Sequence, residues 1–183
     1  MARKETIRKD YLIDTAFLLA KQEGFENVTA RKLAAKAGCS TQPIFRLYES
    51  MEELWKDLYD KAVEFYGFFY DKCPKREKEP FIDLGMAYIK FAMDEKELFK
   101  MLFLSDKKEY SKPLYDILNC DKNYVTKEFV RAKELGVDGA QNLFSQLWIF
   151  IHGIACMTIT GDYDLDEQQT LQMLIDTYNC FKN

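Results

Sequence analysis

The sequence predicts an all-α chain, a head of three short helices followed by a bundle of longer ones. Three observations lead there. Apolar residues recur at the three- and four-residue spacing of helices, no segment alternates as a strand would, and glycines and prolines fall where helices should stop. The first stripe is Leu12, Ile13, Ala16, Phe17 and Ala20, closed by Gly24. Thr29 offers a cap to a second short helix carrying Leu33, Ala34 and Ala37, which ends at Gly38. Ser40 is placed to cap a third helix through about Leu47, with Pro43 in its first turn, where a missing N–H costs nothing. Ser50, with Glu53 three residues on, has capping-box spacing and opens a long fourth helix from Met51 to about Tyr70.

The charged run DKCPKREKEP (71–80), with its two prolines, interrupts the chain. Beyond it, helices are predicted over 81–104, 114–120, 124–135, 140–160 and 166–181, with a loop at SDKKEYSKP (105–113). The organisation expected is a head at 1–48 and a helical bundle at 49–183.

Composition bounds the chemistry. Apolar residues make up 48% and aromatics 15% of 183 residues, enough for a sizeable core and a cavity beside it. A net charge of −4 taken alone argues against a nucleic-acid partner. Its distribution argues otherwise: residues 1–48 hold nine Lys/Arg against five Asp/Glu, while the rest holds 17 against 25. A basic head on an acidic body suits an anionic partner for the head only. Five widely spaced cysteines without a CxxC read as reduced thiols of a cytoplasmic protein. Leu12–Ala20 is interrupted by Asp14 and lacks a cleavage site, and the apolar run Leu147–Ile159 is too short to span a bilayer, so no membrane partner is expected. There is no G-x-S-x-G, no phosphate-cradling glycine loop and no histidine pair, so neither enzyme chemistry nor a metal or cofactor is expected. GDYDLDE (161–167) fails as a calcium loop, because its sixth position from Asp162 is Glu167 and its twelfth is Met173. Its acids suit the positive end of the last helix.

The second and third helices have the dimensions of a helix-turn-helix. Ile44 should turn inward with Leu33 and Ala37, leaving Thr41, Gln42, Phe45 and Arg46 outside. Gln pairs bidentately with adenine, Thr and Phe pack on a thymine methyl, and Arg reaches guanine or a phosphate. Helix–Gly–helix corners also occur in all-α proteins that touch no nucleic acid, so spacing leaves both readings open.

TARKLAAKAGCSTQPIFRLYESMEEL (29–54) resembles the helix 2–3–4 segment of the TetR family of bacterial transcriptional regulators, and LIDTAFLLAKQEGFENV (12–28) resembles that family's first helix and its Gly-aromatic turn. LWIFIHGIACM (147–157) is similar, more loosely, to a Trp…His-Gly helix in the regulatory domains of one branch. The resemblance implies that Thr29 caps the second helix and faces a phosphate, and that Arg31 reaches a base edge or the backbone. It implies that Ser40, Thr41, Gln42 and Pro43 enter or border the major groove, with Phe45 in the place of a DNA-contacting tyrosine and Arg46 beside it. Leu47 and Met51 depart from the family, which often holds phosphates there with His or Tyr and with Lys. Arg46, Lys36, Lys4, Arg8 and Lys9 are the cations left to compensate.

The same resemblance implies a bundle that binds a small hydrophobic or aromatic effector and forms a homodimer through the helices at about 140–160 and 166–181. Double-stranded operator DNA would be released when the effector binds. Candidate pocket residues are Phe65, Tyr66, Phe69, Tyr88, Phe91, Phe144, Trp148 and His152, in stripes that also carry Tyr70, Met86, Met93 and Met157, although aromatic and methionine stripes are also the ordinary material of a core. His152, the only histidine, suits a hydrogen-bonded core or interface position. The competing expectation is a helical ligand-binding or interaction protein with a weakened DNA head, favoured by Leu47 and Met51.

Overall fold

The computed structural model describes residues 7–75, 77–105 and 112–182; Lys4 and most of the 105–113 loop lie outside them. Among the described residues there are helices and no strands. The helices are α1 (Lys9–Glu23), α2 (Ala30–Lys36), α3 (Ile44–Leu47), α4 (Met51–Lys72), α5 (Ile82–Asp94), α6 (Lys96–Phe99), α7 (Leu114–Asn119), α8 (Tyr124–Glu134), α9 (Ala140–Thr160) and α10 (Glu167–Lys182). They form two compact units, residues 1–63 with 97–112, and residues 64–96 with 113–183. The division expected between residues 48 and 49 falls inside the first unit.

In the first unit α1 buries Leu12, Ala16, Phe17 and Ala20 of its predicted stripe and Leu19 besides, while Ile13 is only partly covered. The Thr29 hydroxyl caps α2, accepting from the Lys32 N–H at 3.3 Å. α2 ends in a Schellman turn: Cys39 N–H reaches the Ala34 carbonyl at 2.9 Å and Gly38 N–H the Ala35 carbonyl at 3.3 Å. Gly38 makes this possible with φ +69°, a value that costs a side chain a clash and glycine nothing. Ser50 caps α4 through the Glu53 N–H at 3.3 Å, while the Glu53 carboxylate returns to the Glu49 N–H at 2.8 Å. α4 then lays Leu54 and Leu58, both fully buried, into the head, and the Trp55 indole N–H donates to the Val28 carbonyl at 3.0 Å. Residues 97–104 add Leu98, Phe99, Met101 and Leu102 to this core. The Tyr59 hydroxyl donates to the Leu102 carbonyl at 3.1 Å, and burial pushes that phenol up to about 12.

Two expectations need correction. The single helix predicted over 81–104 is three pieces: α5 stops at Asp94, Glu95 leaves helical geometry, and Lys100–Leu104 winds as a π-helix. Ser40 does not cap α3. The backbone winds from Thr41, whose carbonyl accepts from Ile44 and Phe45, and the start of α3 at Pro43 has no side-chain cap.

In the second unit α5, α9 and α10 pack together. Gly85 sets the approach: a Cβ there would stand 2.6 Å from Ile151 Cδ1. α9 is 21 residues long and, by length and composition, apolar enough to cross a membrane; the expectation counted only its uninterrupted apolar run. In this unit its Leu143, Leu147, Ile151, Ile154 and Ala155 are buried. α5 begins after Phe81, which is buried with φ +71°, and the Phe81 N–H donates to the Glu128 carboxylate of α8 at 2.6 Å. α10 opens on a reciprocal cap, Gln169 N–H to Asp166 Oδ1 at 2.8 Å and Asp166 N–H to Gln169 Oε1 at 3.1 Å.

Candidate functional site

The outward surface of the helix-turn-helix is built by what the inward one takes. Ile44 and Tyr48 are buried together with Leu33 and Ala34, and this orients the rest of the α3 segment. Gln42, Phe45 and Arg46 are exposed, while Thr41 and Pro43 are partly so; Thr29, Arg31 and Ser40 are also exposed. Phe45 leaves half of its surface to solvent.

The cations divide into two groups. Arg31 and Arg46 make no ion pair among the described residues. Three of the proposed compensators are already held: Arg8 pairs with Asp10, Lys9 reaches Asp57 at 2.9 Å and Glu53 at 3.8 Å, and the Lys36 ammonium donates to Gln22 at 2.6 Å. Lys9 also lies 4.4 Å from the centroid of the Tyr48 ring. Exposed pairs of this kind are worth ~0–1 kcal/mol, so a phosphate can compete for them, though what it adds is partly offset by the protein partner it displaces. Leu47 and Met51 are partly buried.

The eight aromatic and histidine candidates sit in the second unit in two groups. Phe91 is fully buried, with Tyr66 and Phe69 at 5.1 Å between ring centroids and Phe65 at 6.4 Å. Trp148 lies 4.6 Å from Tyr88 and 5.8 Å from Phe144. The Tyr88 hydroxyl bonds His152 Nδ1 at 2.9 Å, and the His152 Nε2 lies 3.5 Å from the Cys156 thiol. Burial pulls the imidazole below its ordinary 6.5 and pushes the thiol up, so the pair stays neutral.

None of the eight lines a cavity found elsewhere in this unit. That cavity, about 130 Å³, is walled by residues of the 73–77 segment, of α5 and of the first turns of α10, among them Cys73, Met86, Lys90, Met93, Glu167 and Leu171. Met86 and Met93 stand in the stripes that the sequence offers for a pocket, whereas nothing in the sequence marks Cys73, Lys90, Glu167 or Leu171. The 71–80 run reads only as a break, and nothing along the chain announces that its Cys73 and Glu77 meet residue 167.

Comparison with known proteins bears on both regions. Residues 12–58 match the family described as bacterial regulatory proteins, tetR family, and residues 81–178, more than half of the chain, match the family described as tetracyclin repressor-like, C-terminal domain. No curated protein matches the sequence. Similar solved structures include a protein of Vibrio parahaemolyticus assigned to the TetR family of transcriptional regulators (TM-score 0.68, 17% identity, 94% of this chain and 97% of that one). One from Mesorhizobium loti with the same assignment has a TM-score of 0.61 at 16% identity, covering 94% and 93%. RolR, solved with the ligand resorcinol, has 0.59 at 12%, covering 93% and 90%. At such identities the likeness is one of fold. The family matches take in both the helix-turn-helix and most of the bundle behind it, and the chain belongs to the TetR family of bacterial transcriptional regulators.

Proposed function

We propose that this regulator is a ligand-responsive repressor, a homodimer that sets two α3 segments on a palindromic operator and leaves it when a small organic effector binds the second unit. The observation that carries the reading is the joint exposure of Gln42, Phe45 and Arg46 over a buried Ile44, with Arg31 of α2 exposed and free of ion pairs among the described residues. Thr29, Arg31, Ser40, Thr41, Gln42, Pro43, Phe45 and Arg46 form the proposed DNA face. Dimerisation is supported by α9, where Ile149 is 75% exposed and Gly153 and Met157 follow at four-residue steps, and by the exposed Phe181 of α10. Two heads so joined would address half-sites ~34–36 Å apart, one turn of DNA. α4 supports the coupling, since one uninterrupted helix contributes residues to both units. A ligand entering the cluster of Phe65, Tyr66, Phe69 and Phe91, or that of Tyr88, Phe144, Trp148 and His152, would have to part rings already in contact. The preformed cavity asks for no such opening.

Fluorescence anisotropy with the promoter of its own or a neighbouring gene tests this reading. Arg31→Ala and Gln42→Ala should each weaken specific binding by about 1–3 kcal/mol. A log–log plot of affinity against salt should slope downward with few phosphate contacts. If the folded dimer binds no such DNA, the alternative of a ligand-binding protein with a weakened head replaces this one. A strictly monomeric particle in sedimentation would also end it. By linkage, an effector must loosen DNA as much as DNA loosens it.

A further inference from the structure

The cavity in the second unit has a definite chemistry. Met86, Met93 and Leu171 belong to its apolar lining, and Glu77, Asp83 and Glu167 line it together with the cation Lys90; just behind them the Lys75 ammonium feels Asp83 and the Arg131 guanidinium donates to the Glu77 carbonyl. Lys90 is spoken for, because its ammonium pairs with Asp94 at 2.9 Å. Asp83 already accepts the Glu77 N–H at 3.3 Å. Glu77 and Glu167 are different: their carboxylates make no ion pair or hydrogen bond among the described residues. Glu167 stands in the first turn of α10, behind the cap that Asp166 and Gln169 form. Glu77 and Glu167 thus line the cavity beside Met86 and Met93, with the Glu167 carboxylate close enough to Lys90 to favour its charged form. An anion entering here would meet like charge. A protonated amine would meet opposite charge, with an apolar body to cover the methionines, whose sulfurs adapt to flat or irregular shapes.

Size narrows the class. The volume of about 130 Å³ is close to that of an apolar cavity of ~150 Å³ that holds benzene. We infer that this cavity binds a small protonated organic amine, one ring or a short chain in size, held between Glu77 and Glu167 over Met86 and Met93. That such an amine is the effector rests on the repressor reading above; that it binds does not.

The test uses the protein labelled at the methionine methyls, with Met86→Leu and Met93→Leu to assign two of the seven signals. Benzylamine, benzyl alcohol and benzoate are titrated in turn. Benzylamine should move the Met86 and Met93 signals saturably, benzyl alcohol should do so more weakly, and benzoate should leave them in place. Glu167→Gln, at the exposed start of α10, should weaken benzylamine about tenfold, and Glu77→Gln with Glu167→Gln more, with the thermal midpoint unchanged. Two still signals with every probe, benzoate binding as well as benzylamine, or full affinity in the folded double variant would each overturn the site. Operator release is measured separately. Binding without release keeps the site and removes its role as effector site, whereas failure to bind DNA at all strikes the repressor reading alone.

Discussion

Phe45 and Phe91 show how differently the two units use the same side chain. Phe45 stands half in water beside Gln42 and Arg46, on a segment oriented by the buried Ile44 and Tyr48. Phe91 has no solvent surface and is closed in by Phe65, Tyr66 and Phe69. The head exposes its chemistry because local devices, a threonine cap and a glycine turn, hold a short segment outward. The second unit packs these rings against one another, and the cavity that Glu77 and Glu167 line is walled by none of them. Exposure in the first is therefore a matter of neighbours in sequence, and in the second of which helices meet.

That contrast can be broken by measurement. The largest effect should come from Phe91→Ala, which leaves a hole among three rings and should cost about 3–5 kcal/mol in urea unfolding. Phe45→Ala should stay within about 0.5 kcal/mol, since it removes no core packing. Equal losses would erase the distinction. Glu128→Ala comes next: the buried Phe81 N–H loses its acceptor, and about 1–3 kcal/mol should go with it. A loss below that range would mean the amide finds another partner.

A smaller effect is expected from His152. Burial lowers its folded pKa, so as pH falls the unfolded chain binds the proton first. Its contribution is complete above 6.5 and is lost as pH drops through the lowered folded value. The urea midpoint should therefore fall more steeply below 6.5 in the parent than in His152→Gln. Parallel curves would show that the imidazole is as free to charge in the fold as out of it. The smallest change should be the stability of Gln42→Ala, within about 0.5 kcal/mol of the parent, however much DNA affinity it removes.

The sequence was most readable where structure is decided within a few residues. Thr29, Gly38 and the Ser50/Glu53 pair each act on backbone groups close by, and each appears as expected. The break at Glu95 was not legible, because the apolar spacing runs on through Leu98 and Met101 with neither glycine nor proline to stop it. Ser40 misled for a related reason: Pro43 takes helical angles at the start of α3, and the winding begins at Thr41, past the expected cap. The cavity lies furthest from sequence. Glu77 and Glu167 are ninety positions apart, and only the packing of α5 with α10 brings them to one wall.

The shared helix α4 limits how this protein can be taken apart. A chimera cut after residue 48 would strip the DNA reader of Leu54, Leu58 and the Trp55 indole that holds the Val28 carbonyl. It would also discard the distant strip 97–104, whose Leu98, Phe99 and Leu102 close the same core. A transplantable reader must therefore extend to Val63 and bring that second strip with it, so swapping specificities by exchanging surface residues in place is the sounder engineering route.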